Sequence, residues 1–246
     1  SILSGFSFGV EKAQVLVSKG GLLGRTVGRT GTQGDEERSK AIREFGALKN
    51  KKQVQQFAGS TNWLRAHLPI QYASAMKILG RYLKEDAEFP EEGLGPGTSE
   101  GDKAVQAIKL MCARLIELSV MDEAAAIDGS RPLEQIADSS GIAWGGSCLQ
   151  MSADLSRFNV LMVASKGLSP AQQAWPPLTL EGYAQLEGKR AQRRILGSMK
   201  SICWTDHANV TKLQTTDLPD IDPKHLRWVS EIVADGSEIL SLIHIS

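Results

Sequence analysis

Apolar and polar positions follow strand-like patterns through much of the second half of the chain. Apolar runs interrupted by Ser-Ser-Gly predict a strand, a tight turn and a second strand over residues 133–150, and further runs predict strands over 158–164 and 200–205. Helical periodicity covers 170–196, with a break expected at Pro176-Pro177, and returns over 225–233. Alternation over 238–245 predicts a fifth strand. This order predicts an α/β (α+β) domain over 132–246, with a mixed five-stranded sheet and flanking helices.

The first half of the chain has a different pattern, dominated by helical spacing. A helix is predicted to open at Asp35-Glu36-Glu37, and apolar side chains then recur at i, i+3 and i+4 in three consecutive stretches within residues 49–84, where Pro69 separates the second helix from the third. Apolar pairs joined by glycines predict a β-hairpin within 1–37. An apolar stripe predicts a helix over 104–118, and the preceding residues 86–103, rich in Pro, Gly and acids, are interpreted as a mobile linker or an insertion.

Charge is divided along the chain, although the formal net charge is +0. Residues 1–84 contain 14 Lys and Arg against 5 Asp and Glu, whereas residues 85–138 contain 4 against 13. A basic first third suits a nucleic-acid backbone, because Lys and Arg displace the counterions of phosphates. A solvated basic helical surface explains the same charges equally well.

Several classes of protein are disfavoured by composition. No apolar run approaches the roughly 18 residues of a membrane span, and no signal peptide opens the chain, so we expect no membrane partner and an intracellular location. Three cysteines far apart in the sequence do not suggest a disulfide framework, and the four histidines lack zinc spacing.

Three carboxylates stand out by their settings. Asp138 ends a strand-like run, where it needs a positive partner, and a metal ion is one candidate; Glu181 lies in a helix and Asp206 ends another strand. Singly, each is explained as a turn, cap or solvated helix residue. Their order along the chain suggests one acidic cluster.

These residues carry a resemblance to a known family. QIADSSGIAWGGSCLQ, KGLSPAQQAWPPLTLEGYAQL and SICWTDHANVTKLQ resemble the three catalytic blocks of the RNase H domain of gypsy-type LTR retrotransposon polyproteins. The resemblance implies an RNase H-like fold that hydrolyses the RNA strand of RNA–DNA hybrids. It also implies that Asp138, Glu181 and Asp206 are catalytic and hold two Mg²⁺ ions, with Mn²⁺ as a possible substitute.

The first half resembles the preceding parts of the same polyproteins. LLGRTVGRTG is similar to the primer-grip hairpin at the end of a reverse transcriptase palm, and a thumb pattern is matched by Val54, Phe57, Gly59, Asn62, Trp63, Arg65 and Pro69. The resemblance implies a palm end over 1–37, thumb helices over 38–85, an acidic linker and connection helix over 86–131, and RNase H over 132–246. It implies that a primer–template or hybrid contacts Arg25, Lys49, Lys51, Lys52 and Arg65.

The resemblance also defines what the chain is expected to lack. The polymerase aspartates of the family would precede Ser1, and a fourth acid would follow the last strand, so we expect a C-terminally truncated fragment whose partner is the rest of the polyprotein. The expected location is a cytoplasmic particle or the nucleus, and no oligomeric state follows from the sequence. The alternative function is a catalytically inactive remnant that only binds nucleic acid.

Overall fold

An antiparallel sheet lies at the N-terminal end of the described chain. The computed structural model describes residues 18–22, 25–206, 210–211 and 222–242. Strands β1 (Lys19–Leu22), β2 (Arg25–Gly28) and β3 (Gly31–Gly34) pair as an antiparallel meander, and β4 (Leu118–Ser119) adds to β3 from much later in the sequence. The expected hairpin is thus present as β1 and β2, while its first apolar run, residues 15–17, lies outside the described residues.

Four helices follow, and the helical prediction for this part is confirmed except for the second of the three predicted stretches, which is the end of one helix and a 3₁₀ turn. They are α1 (Glu36–Arg43), α2 (Lys51–Trp63), α3 (Tyr72–Leu79) and α4 (Glu100–Cys112), with 3₁₀ turns at Arg65–His67 and Gly80–Leu83. Asp35, Asn50 and Ser99 cap α1, α2 and α4 by accepting backbone N–H bonds. The apolar faces meet in one core that includes Val54, Phe57, Leu64, Leu79 and Ile108.

The segment interpreted as a linker is packed against this helical core. Leu94 is fully buried and forms a bridge with Leu48, and Gly95 N–H donates to Asp102 Oδ1 at 2.7 Å. The acidic side chain of Asp102 therefore fixes the turn that leads into α4. Composition alone indicated a linker because it does not reveal that Leu94 and Phe89 pack against the helical core. The expected acidic connector before residue 132 contains a short helix, α5 (Glu123–Ile127).

The C-terminal half contains the mixed five-stranded sheet that the sequence predicts. Its strands are β5 (Leu133–Ser139), β6 (Ala143–Met151), β7 (Phe158–Gly167), β8 (Ser201–Thr205) and β9 (Glu238–Ser241), in the order β7-β6-β5-β8-β9. The first three are antiparallel, whereas β8 is parallel to both β5 and β9. Helices α6 (Pro170–Gln173), α7 (Pro177–Leu196) and α8 (Pro223–Val233) complete the domain, with the expected break before α7.

Helix α7 lies very close to the central strand of this sheet. A Cβ atom on Gly188 would stand 3.0 Å from Gln135 Nε2 and 3.2 Å from Ala137 Cβ, both on β5. The missing side chain therefore allows the close approach of helix and sheet. No described helix has both the length and the apolar character needed to cross a membrane.

The helical part packs directly on the five-stranded sheet. Ile70, just before α3, lies against Gly145 of β6, where any Cβ would overlap it. Lys77 Nζ on α3 donates to the Leu168 carbonyl at 2.6 Å, just beyond β7. These contacts place α3 beside β6, whose Gly145 pairs with Asp138, and beside the end of β7.

Candidate active site

The parallel pairing of β5 and β8 brings two of the predicted acids to one edge of the sheet. Ile136 pairs with Trp204, and Asp138 and Asp206 each follow two residues later in strands that run in the same direction. Both side chains are exposed. The local sequence ends each strand with a carboxylate, and only the strand pairing makes the two carboxylates neighbours.

The third predicted acid, Glu181, faces this edge from the first turns of α7. Its side chain is only 9% exposed, and its Oε2 atom has no hydrogen-bond partner. Burial raises the pKa of Glu181 to about 8, helped by the charge of Asp138, a hydrogen bond with Asp138 and the charge of Asp206, and opposed by the Ser139 N–H. The structure therefore brings Asp138 and Asp206 close enough to Glu181 for their charges to raise its pKa.

The three side chains are of the type that binds a divalent cation, but they are not yet close enough together to do so. A buried carboxyl oxygen without a partner, beside two exposed carboxylates, offers the hard oxygen ligands that Mg²⁺ prefers. Within the described residues, no three His, Cys, Asp or Glu side chains are close enough together to form a ready metal site. Carboxylates repel one another until a cation neutralises them. The assignment of Asp138, Glu181 and Asp206 as ligands therefore stays a prediction.

Sequence reasoning missed Gln185, which lies one helical turn after Glu181 and is fully buried. Its side-chain amide donates to the Ala137 carbonyl at 2.9 Å and to the Trp204 carbonyl at 2.8 Å. The sequence feature that could have identified it is its spacing: Gln185 is a polar residue four positions after Glu181, on a helix face that is otherwise buried. Nothing in the sequence identifies its two partners.

A basic cleft lies between the N-terminal part and the five-stranded sheet. Its volume is about 510 Å³, and its lining includes Arg25, Asn62, Arg65, Lys166, Glu187 and Arg194. The acid in this lining, Glu187, is paired with Arg190 at 2.9 Å. Trp144 lines both this cleft and a smaller pocket that contains Asp138. The cleft therefore combines two predicted nucleic-acid contacts with Lys166 and Arg194, which sequence reasoning did not select.

The other predicted nucleic-acid contacts are separated from this cleft. Lys49, Lys51 and Lys52 are at the N-terminal end of α2, and Arg65 follows its C-terminal end, about 20 Å away at 1.5 Å per residue. Arg65 also has an internal partner, because its guanidinium donates to the Ser165 carbonyl of β7. The structure thus unites Arg25 with Arg65 and leaves the three lysines on another surface.

Comparison with known proteins identifies the C-terminal half. Residues 128–234 match the family model of the RNase H-like domain found in reverse transcriptase. This part of the chain has an RNase H-like fold. Its five-stranded mixed sheet with flanking helices confirms the predicted fold class. No curated protein matches the chain.

Solved structures resemble the chain beyond the RNase H-like domain. A foamy viral protease-reverse transcriptase in complex with RNA/DNA hybrid has a TM-score of 0.67 and 17% identity, covering 96% of this chain and 31% of its own. Two structures with double-stranded DNA have TM-scores of 0.69 and 0.66 at 16% and 17% identity, each covering 94% of this chain and 39% and 46% of their own. The chain spans less than half the length of each, and the likeness shows a shared fold.

Proposed function

We propose that the chain is part of a gypsy-type retrotransposon reverse transcriptase whose RNase H-like domain hydrolyses the RNA strand of RNA–DNA hybrids. The observation that carries the proposal is the position of Asp138 and Asp206 at one edge of the sheet, close enough to the buried carboxyl of Glu181 for their charges to raise its pKa. Clustered carboxylates in an RNase H-like domain are suited to the cleavage of an anionic phosphodiester.

Two Mg²⁺ ions, or Mn²⁺ in their place, would supply the activation of the attacking water and the stabilisation of the leaving 3′ oxygen. In the hydrolysis, the water oxygen forms a bond to phosphorus, the bond from phosphorus to the 3′ oxygen breaks, and a 5′-phosphate and a 3′-hydroxyl result. Asp138, Glu181 and Asp206 would hold the ions through their carboxylate oxygens. Glu181 must first release its proton to solvent, so we expect weaker cation binding below pH 8.

The N-terminal part has a supporting role in this proposal. Residues 1–37 would be the end of the palm and 38–85 the thumb, with the polyprotein as partner. The connection helix would be α4, which the structure places at Glu100–Cys112 and not over the predicted 104–118. The cleft lined by Arg25, Arg65, Lys166 and Arg194 would receive phosphates of the bound hybrid. Its position beside Trp144, which also lines the Asp138 pocket, favours one continuous path for the substrate.

The basic cleft also supports the second candidate function, nucleic-acid binding without cleavage. Its cations are separate from the three carboxylates, so a chain with an inactive acidic site would retain its phosphate contacts. Binding and cleavage must therefore be measured separately.

The deciding experiment is cleavage of a labelled RNA–DNA hybrid by the chain in Mg²⁺, with the same RNA in an RNA–RNA duplex as the substrate control. Asp138→Asn should abolish cutting while the hybrid remains bound. Glu134→Gln is the matched protein control, because Glu134 lies on the same strand but bonds the Trp204 indole N–H at 2.8 Å, which an amide oxygen also accepts.

Each result of this experiment selects one function. Hybrid-specific cutting that is lost in Asp138→Asn and kept in Glu134→Gln supports RNase H activity. Binding of the hybrid without cleavage supports the second candidate function, an inactive remnant that only binds nucleic acid. Equal cutting by wild type and Asp138→Asn would show that the activity arises elsewhere.

A further inference from the structure

Gln185 connects the three elements that carry the acidic site. It is fully buried on α7, one turn after Glu181. Both protons of its Nε2 atom have acceptors, the Ala137 carbonyl at 2.9 Å and the Trp204 carbonyl at 2.8 Å. Ala137 immediately precedes Asp138, and Trp204 precedes Asp206 by two residues. A single amide thus bridges the ends of both acid-bearing strands.

The orientation of this amide is itself fixed by a second glutamine. Gln135 Nε2, on β5 and also fully buried, donates to the Gln185 backbone carbonyl at 3.1 Å and to Gln185 Oε1 at 3.3 Å. The Gln185 side chain therefore has a partner for each of its donors and for its acceptor. A rotated Gln185 amide would turn its oxygen towards the two carbonyls and leave polar atoms unpaired, so the Gln185 side chain holds one geometry, although Gln135 Oε1 is itself buried without a partner.

We propose that Gln185 is a positioning residue that holds the strand ends carrying Asp138 and Asp206 against the helix turn carrying Glu181. Its effect on cation binding rests on the function proposed above, whereas its effect on the strand ends does not. An apolar side chain of similar size would fill the same space without joining β5, β8 and α7. The three carboxylates would then still be present, but the distances between them would no longer be fixed.

The chain offers a matched control on the same helix. Gln192 is also fully buried, and its Nε2 atom donates to one backbone carbonyl, that of Met199, at 2.9 Å. It lies seven residues after Gln185, towards the end of the helix that is remote from Glu181. Replacing either glutamine with methionine removes a buried amide, but only Gln185→Met releases the acid-bearing strand ends.

The first test is backbone amide exchange in the full metal-free chain. Gln185→Met should accelerate exchange at residues 137–139 and 204–206 by about tenfold or more relative to wild type, while Gln192→Met leaves these residues unchanged. Gln185→Asn, which keeps an amide but shortens its reach by about 1.5 Å, should act like Gln185→Met and serves if the methionine variant does not fold. Unchanged exchange at both strand ends in the Gln185 variants would overturn the proposal.

The second test is Mg²⁺ titration of the same four proteins by calorimetry. Loss of an outer-shell partner typically weakens metal affinity 10–100-fold, so the Gln185 variants should bind Mg²⁺ at least tenfold more weakly, and Gln192→Met should remain within twofold of wild type. Equal affinity in all four proteins would show that Gln185 does not position the ligands. If wild type itself binds no Mg²⁺, the proposed metal chemistry fails, and the exchange data still decide whether Gln185 holds the strands.

Discussion

Glu181 differs from its two acidic neighbours in burial, and this difference sets its protonation. The backbone positions Asp138 and Asp206 at exposed strand ends, whereas α7 buries the Glu181 carboxyl over them. Two negative neighbours and poor solvation both favour the protonated form, and the pKa rises to about 8. The raised pKa therefore lowers the free energy of unfolding of the metal-free chain progressively as the pH rises from 4.5 to about 8.

Glu181→Gln should stabilise the metal-free chain, and the gain should increase with pH. Because the folded-state pKa is raised from 4.5 to about 8, the folded chain binds more protons than the unfolded chain between these values, and its free energy of unfolding falls as pH rises. At about 1.4 kcal/mol per pKa unit, with part of the penalty relieved by local rearrangement, we expect a gain of about 1–3 kcal/mol at pH 8 and little at pH 4.5.

Urea unfolding in a chelator at pH 4.5, 6 and 8 measures this gain. Glu187→Gln, on the same helix but outside the acidic cluster, is the control and should show no increasing advantage with pH. A constant difference between Glu181→Gln and wild type across the range would contradict the raised pKa.

Helix α7 is the element that joins the acidic site to the sheet, and its two internal glycines have different surroundings. Gly188 faces β5, where Gln135 is held by its bonds to Gln185. Gly182 faces Trp228 of α8, with room for a methyl group at an ordinary contact of 3.6 Å. Each glycine destabilises the helix by about 1 kcal/mol relative to alanine, but only Gly188 allows α7 to approach the sheet closely.

Gly188→Ala and Gly182→Ala should therefore shift stability in opposite directions. The new methyl group at 188 meets atoms at 3.0 and 3.2 Å that cannot move without breaking the Gln135–Gln185 network, so a loss of about 1–2 kcal/mol is expected. At 182 the gain in helix propensity should prevail, by about 0.5–1 kcal/mol. Thermal unfolding of the two variants beside wild type measures both. A stabilised Gly188→Ala would show that the helix can withdraw from β5.

At the scale of the whole molecule, the helical part and the RNase H-like domain share one junction. Ile70 lies on Gly145, Lys77 bonds the Leu168 carbonyl, and Arg65 bonds the Ser165 carbonyl. Gly145 pairs with Asp138 across β5 and β6, so the junction borders the acidic site. The basic cleft opens along the same boundary, and its cations come from both sides of it.

Gly145→Ala should disrupt this junction, because its methyl group would overlap Ile70. Overpacking of this kind costs about 1–3 kcal/mol, which we expect as a lower midpoint of urea unfolding and faster proteolysis between the two parts. Gly141→Ala, in the neighbouring turn with open space around it, should be neutral. Similar proteolysis of Gly145→Ala and wild type would show that Ile70 can move aside at no cost.

Lys166→Ala and Arg194→Ala should each weaken binding of an RNA–DNA hybrid without changing the fold. Both side chains are exposed in the cleft, so each removes about one phosphate contact and lowers the slope of log affinity against log salt by about 1. Fluorescence anisotropy at several salt concentrations measures the slope. Lys103→Ala, an exposed cation of α4 outside the cleft, should retain the wild-type slope. Equal slopes in all variants and wild type would show that the cleft does not contact the phosphates of the hybrid.

The sequence by itself determined the elements and the choice of three acids. Strand alternation, helical periodicity and capping residues act between near neighbours, so 132–246 could be assigned a mixed five-stranded sheet, and each acid could be recognised by its own surrounding block. The helices of 38–85 were predictable for the same reason. The packed segment around Leu94 was not, since its anchor is a contact with Leu48.

Only the tertiary structure revealed the contacts between residues that are far apart in the sequence. Gln185 lies 48 residues from Ala137, Arg65 lies 100 residues from Ser165, and the partners of Gly145 and Gly188 are equally non-local. A pattern in one stretch contains no information on which carbonyl, side chain or strand the folded chain brings beside it. The sequence therefore identified the three carboxylates. The pairing of β5 with β8 and the packing of α7 decided their position at one edge of the sheet, the raised pKa of Glu181 and the bridge made by Gln185.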